Sequence, residues 1–361
     1  NLTETAFSSA TSLSTRANIP SAPTVNTPTA STLALGININ SNPTSTTFAI
    51  QEVGSSNYVQ ANGTLGASAV WQANATWGTV TVTGLSVNTT YTFKVKARNA
   101  DFVETDLSSG TSAYTAVGAP SNFQATTIAT TSLALSVATF ANDSVGSAGY
   151  RFQITSPAEA VADSGWQSGT ATKTFSSLSP NVQYTLSVTY RNSNSVETAA
   201  TTLQVYTLAN TPSTPTLSSQ TTTSFVVVVG QNGNPTATTY AIRVTPSGQS
   251  AQYVQANGTL SASAVLQTYT VWGSASGSTV SGLLPGTSYA VAVIARNGSG
   301  TDTNASATAT QRLSSPSSIN RESLFDQTSP AAPTNFSVIV HDGKVLLTWG
   351  DPKDADLNRI S

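Results

Sequence analysis

The feature that most constrains this chain is a motif that occurs three times, a leucine followed six residues later by a tyrosine that opens an alternating apolar run. It reads GLSVNTTYTFKVKARN (Leu85, Tyr91), SLSPNVQYTLSVTYRN (Leu178, Tyr184) and GLLPGTSYAVAVIARN (Leu283, Tyr289). The tyrosines are 93 and 105 residues apart, so the repeating unit is about 100 residues, the size of one ordinary domain. A second repeat agrees: YVQANGTLGASAV begins at Tyr58 and YVQANGTLSASAV at Tyr253, two units apart. The 361 residues are therefore organised as a tandem array rather than one large core.

Within each copy the period is two. Tyr91, Phe93, Val95 and Ala97 share one face, while Lys94, Lys96 and Arg98 share the other. That alternation predicts a half-buried antiparallel strand. Earlier alternating runs precede it in every unit: Leu33/Leu35/Ile37, Leu133/Leu135/Val137 and Phe225/Val227/Val229. Asn62-Gly63, Asn232-Gly233 and Asn257-Gly258 supply turns that need positive φ. No stretch sustains a helical period, so the units read as all-β sandwiches. Prolines mark where each begins: Pro20 and Pro23, Pro120, and Pro212 and Pro215. Proline ends ladder pairing and stiffens a joint.

Proline start, early strand, and then Leu-x5-Tyr leading into an alternating strand together resemble the fibronectin type III family, and the resemblance covers nearly the whole chain. It implies an immunoglobulin-like Greek-key β-sandwich in each unit. It also implies that Tyr91, Tyr184 and Tyr289 are corner tyrosines, bonded through the hydroxyl to nearby backbone. The sequence departs from the family at the end of the second strand. There Ile37, Val137 and Val229 stand where a Trp is usual, and only Trp349 keeps it. Trp71, Trp77, Trp166 and Trp272 are the candidates to fill the missing core volume.

The expected organisation is residues 1–19 as the last strand of a preceding module, modules at 20–116, 117–209 and 210–312, a linker at 313–329, and the first strands of a further module at 330–361. The opening assignment rests on ETAFSSATSLSTRANIP matching ETDLSSGTSAYTAVGAP at an offset of 100 residues. The linker segment is polar and aperiodic, and is the expected hinge.

Composition narrows function. Only 8% of residues are charged and the net charge is -2, against about 25% charged in a typical soluble domain. Such a surface offers neither the Lys/Arg density that neutralises phosphates nor attraction to anionic lipid, so no nucleic-acid partner and no membrane insertion are expected. Cysteine is absent, which removes disulfides, thiolate nucleophiles and Cys-based metal sites. The single histidine, His341, precedes Asp342-Gly343 and reads as a solvated turn residue. Asp351, Asp354 and Asp356 form the one tight carboxylate cluster; a solvated loop is the favoured reading and a weak calcium site the alternative. Other carboxylates are scattered, and no P-loop, dinucleotide or zinc motif occurs.

Trp77 and Trp272 occupy equivalent repeat positions and are read two ways, as sandwich core or as an exposed platform for a glycan ligand. Lys94 and Lys96 alternate with the apolar face, which disfavours an internal Lys–Asn or Lys–Asp cross-link. Asn-x-Ser/Thr sequons are numerous in so Asn- and Thr-rich a chain and leave glycosylation open. The expected function is a non-catalytic structural spacer in a large bacterial extracellular or cell-surface protein, with no cofactor. Its partners would be neighbouring modules, other copies in a surface assembly, or a surface protein or glycan. The alternative is a set of accessory modules of a secreted polysaccharide-degrading enzyme whose catalytic domain lies elsewhere.

Overall fold

The structure, a computed structural model, describes residues 5–7, 9, 13–159, 162–316 and 334–350. The first module contains β1 (Ser21–Asn26), β2 (Leu33–Asn38), β3 (Thr47–Glu52), β4 (Tyr58–Val59), β5 (Leu65–Gly66), β6 (Gln72–Ala73), a four-residue helix α1 (Asn74–Trp77), β7 (Thr79–Val82), β8 (Thr90–Arg98) and β9 (Thr111–Tyr114). Its two sheets are β1-β2-β7 and β5-β4-β3-β8-β9, with β6 also on β3. All the ladders are antiparallel.

The second module repeats the plan with β10 (Gln124–Ile128), β11 (Ser132–Ser136), β12 (Gly149–Ser156), β13 (Asp163–Gln167), β14 (Thr172–Ser176), β15 (Gln183–Arg191) and β16 (Thr201–Tyr206). They form sheets β10-β11-β14 and β13-β12-β15-β16. The third has β17 (Ser213–Ser218), β18 (Phe225–Gly230), β19 (Thr239–Pro246), β20 (Gln252–Val254), β21 (Leu260–Ser261), β22 (Gln267–Thr268), β23 (Ser278–Val280), β24 (Ser288–Arg296) and β25 (Ala309–Arg312). Its sheets are β17-β18-β23 and β21-β20-β19-β24-β25, with β22 on β19. In each module the first, second and fifth strands of the sandwich face the third, fourth, sixth and seventh. That is the fibronectin type III topology.

Period-two alternation places the core. Leu33 and Leu35 of β2 and Phe93, Val95 and Ala97 of β8 are fully buried, and their counterparts fill two further clusters, around Tyr184 and Tyr289. Pro23 and Pro215 lie in the edge strands β1 and β17, where the register slips between Ser21 and Thr24 and between Ser213 and Thr216. Proline's missing N–H is tolerated at such an edge irregularity.

Two boundaries of the module array differ from the sequence reading. Residues 13–17, expected as a strand, join no ladder. Leu313, expected to open the linker, is 2% exposed and belongs to the third core. At the far end β26 (Thr334–His341) and β27 (Lys344–Gly350) pair as a hairpin through Asp342 and Gly343, at φ 49 and 73. Positive φ at both turn residues matches the twist of an antiparallel pair.

Candidate functional site: the joints between modules

Each corner tyrosine accepts a hydrogen bond from the backbone five residues earlier. Ser86 N donates to Tyr91 at 2.8 Å, Ser179 N to Tyr184 at 2.9 Å, and Leu284 N to Tyr289 at 2.7 Å. This bond ties the turn before β8, β15 and β24 to the strand itself. Tyr184 also donates to Glu159 at 2.7 Å; burial, with Glu159 beside it, pushes this phenol above its ordinary value.

The corners present residues that the sequence reading left unassigned. Asn88 lies three residues after Leu85 and is 1% exposed. Its φ of 48 turns the side chain out of the first module and into the second. Nδ2 donates to the Asn142 carbonyl and Oδ1 accepts from Ser193 N, both at 2.7 Å. Asn142 returns a bond to Thr89 Oγ1 at 3.1 Å. Asn181, the equivalent residue after Leu178, has φ 50 and enters the third module. Its Nδ2 donates to Thr238 Oγ1 at 2.7 Å and its Oδ1 accepts from Gly298 N at 2.8 Å.

A second asparagine closes each joint from the other side. Asn192 Nδ2 donates to the Thr115 carbonyl at 3.3 Å, and Asn297 Nδ2 to the Thr207 carbonyl at 3.1 Å. Their Oδ1 atoms accept from Val196 N and Thr301 N within their own turns, which fixes the side-chain orientation. Thr115 and Thr207 are 0% exposed, and their hydroxyls donate back to Ser86 O and Ser179 O. Val87 completes the first joint by packing on the second core. At the second joint a Cβ on Gly298 would lie 2.2 Å from the Tyr206 ring, so only glycine admits that approach. Both asparagines of each joint stand in the quoted motif, Leu-x-x-Asn at its start and Arg-Asn at its end. That recurrence was the signal available in the sequence.

The third module ends differently. Gly286 replaces the corner asparagine. Leu313 occupies the threonine's place, its N–H bonding Thr287 O as Thr115 N bonds Thr89 O. The corner amide and the threonine hydroxyl that braces each of the other corners have no counterpart at Gly286 and Leu313.

Trp77 and Trp272 are 5% and 2% exposed, and their indoles donate to Phe48 O at 2.9 Å and Tyr240 O at 2.7 Å. The platform reading is corrected. Both rings plug the sandwich, where a carbonyl of the third strand, β3 or β19, gives each indole N–H an acceptor inside the core. Trp71 and Trp166 lie on the outer faces, covered by guanidinium groups: Arg98 at 4.5 Å from Trp71 and Arg191 at 4.4 Å from Trp166. The repeated YVQANGTL segment is a self-braced hairpin. Gln60 and Gln255 bridge it internally, and the Gly63 and Gly258 carbonyls accept from Thr83 N and Ser281 N.

Charged groups are dispersed in surface pairs. Lys96 meets Glu104 at 2.6 Å, Arg151 meets Asp163 at 2.5 Å, and Arg296 meets Asp302 at 2.5 Å. The Arg151 and Arg296 guanidiniums hold the carboxyls of Asp163 and Asp302 below the usual range. Burial alone would raise Glu52, but bonds from Ser55 and Gly54 outweigh it and leave this carboxyl low. His341 is exposed beside the hairpin turn. Asp351, Asp354 and Asp356 lie outside the described residues. Among the described residues no group of three or more His, Asp or Glu gathers to hold a metal ion, and no helix is long and apolar enough to cross a membrane.

No family model matches the chain, and no curated protein matches it. Solved structures do. A two-domain fibronectin type III segment of chicken tenascin is 16% identical over 54% of this chain and 100% of its own, with a TM-score of 0.39. The FN1–FN3 domains of chicken CNTN1 are 14% identical over 82% of this chain and 99% of their own, with a TM-score of 0.27. This chain is a tandem of fibronectin type III-like modules by its own strand order.

Proposed function

We propose that this region is a non-catalytic spacer of a large extracellular modular protein, bacterial and exported, whose modules stack end to end. The observation that carries the reading is the twice-built joint. Asn88 with Asn192, and Asn181 with Asn297, spend buried hydrogen bonds on fixing one module against the next. Such bonds contribute nothing to the fold of either module alone. Their effect is to set the angle between modules, which is what a spacer requires. Low charge and absent cysteine accord with an exported polar surface. The changed corner at Gly286 and Leu313 supports a hinge after the third module.

Small-angle scattering tests the stacking. Each module spans about 30–40 Å by strand geometry, so three in line give a maximum dimension of roughly 100 Å or more. A single compact body of this length would have a radius of gyration of about 21 Å. A value near that compact limit overturns the spacer reading.

A further inference from the structure

The N-terminal faces of the first and third modules are built alike, yet among the described residues only one of them is filled. In the third, Asn210 N donates to Asn234 Oδ1 at 2.7 Å, Asn234 Nδ2 donates to Asn210 O at 2.7 Å, and Thr238 N bonds Pro235 O. In the first, Asn18 N donates to Asn42 Oδ1 at 2.8 Å, Asn42 Nδ2 donates to Asn18 O at 2.8 Å, and Thr46 N bonds Pro43 O. Asn181 seats on the third face through Thr238 Oγ1 and Gly298 N. The matching atoms on the first face are Thr46 Oγ1 and Ala100 N. A cavity of about 210 Å³ lies beside them, its lining including Thr46, Asn99, Ala100, Pro43, Ser14 and Thr15.

The incoming chain is already held as it is at the other joints. Asn99 Nδ2 donates to Thr15 O at 3.0 Å, as Asn192 does to Thr115 and Asn297 to Thr207. Thr115 and Thr207 are fully buried, whereas Thr15 is exposed. Half of a joint is therefore made, and the half that a corner asparagine supplies is open.

We propose that this face is a docking socket for the Leu-x-x-Asn corner of another like module whose final strand leads into Thr15. The asparagine amide would donate to Thr46 Oγ1 and accept from Ala100 N. The inference stands on the paired faces and does not need the spacer reading. Two observations select a corner joined in cis over one from a second copy. Asn88 and Asn181 are both already seated, and the third corner carries Gly286. The fit is also consistent in size: Ser14 stands where Tyr206 presses on Gly298, which leaves room for the methyl group of Ala100.

The test fuses residues 20–204 directly ahead of Leu13 of the chain, so that an added second module, in its native setting behind an added first, runs into Ser14-Thr15. Amide exchange is followed on the peptide containing Ala100, which now occurs in two copies, one at the open start and one behind the added corner. The expected result is two equal populations, one slowed at least about tenfold by a buried hydrogen bond. Asn181→Gly in the added module should return the slow population to the fast one. A single fast population, with the Ser193 amide protected in both copies, overturns the proposal. So does concentration-dependent protection of Ala100 in the unfused chain, which would place the occupant on a second molecule.

Discussion

Replacing Asn88 by glycine isolates the joint from the modules it joins. Glycine tolerates φ 48 without strain, so the change removes side-chain atoms and little else. Two short bonds across the joint are lost, Nδ2 to Asn142 O and Oδ1 from Ser193 N, both 2.7 Å and both in a site 1% exposed, together with a long contact from Nδ2 to Ala141 O at 3.5 Å. At about 0.5–1.5 kcal/mol net for each bond, the closed joint loses about 1–3 kcal/mol. That corresponds to an opening constant roughly 5- to 150-fold larger. Hydrogen exchange at the Ser193 amide reads this directly, because that N–H exchanges only when its bond to Asn88 is broken. Its exchange should accelerate by that factor, while the amides of β8 and β15 keep their protection and neither core loses stability beyond about 0.5 kcal/mol. Asn181→Gly should act the same way on Gly298. Unchanged exchange at Ser193 refutes the joint as drawn. Cooperative loss of protection through β8 refutes the separation of joint from module, because the asparagine would then be part of the first module's own fold.

Three further outcomes follow from the cores and the surface pairs. Trp272→Ala opens a cavity and strands the Tyr240 carbonyl, and should cost the third module about 3–5 kcal/mol in urea unfolding, leaving the other two transitions in place. Tyr289→Phe leaves the Leu284 amide without its acceptor and should cost about 0.5–1.5 kcal/mol by the same measurement. Asp163 and Asp302 have folded-state carboxyls below their unfolded value, so the folded chain binds fewer protons at acid pH. The stability they contribute is present above the unfolded value of about 3.9 and disappears as pH falls through the lower folded value. Both pairs are more than a third exposed, so each should contribute under about 1 kcal/mol, seen as a fall in melting temperature below about pH 4 that Asp163→Asn flattens.

The modules were legible because their information is local and repeated. Period-two alternation in Tyr91–Ala97 states which face is buried, and Leu-x5-Tyr recurs at a fixed place beside it. Trp77 and Trp272 were only half legible. Repeat position shows that two tryptophans are equivalent, but not whether an indole N–H finds Phe48 O or Tyr240 O inside the sandwich. Leu313 differs for a related reason: its burial is set by the third core that it joins, with Phe225, Leu283 and Tyr289, and not by its polar neighbours.

The joints carry no local mark in the sequence. Asn88, Asn181, Asn99, Asn192 and Asn297 recur within the quoted motifs, but an asparagine in a turn is ordinary, and its commonest partner is its own backbone. By itself the sequence determined the number of modules, their strand pattern and the corner tyrosines, because short-range periodicity and tight-turn chemistry decide those. Only the tertiary structure decided which asparagines turn outward and what they hold. Donor and acceptor there come from different modules, as with Asn88 and Ser193 or Asn181 and Gly298, and nothing short of the packed joint brings them within hydrogen-bond reach.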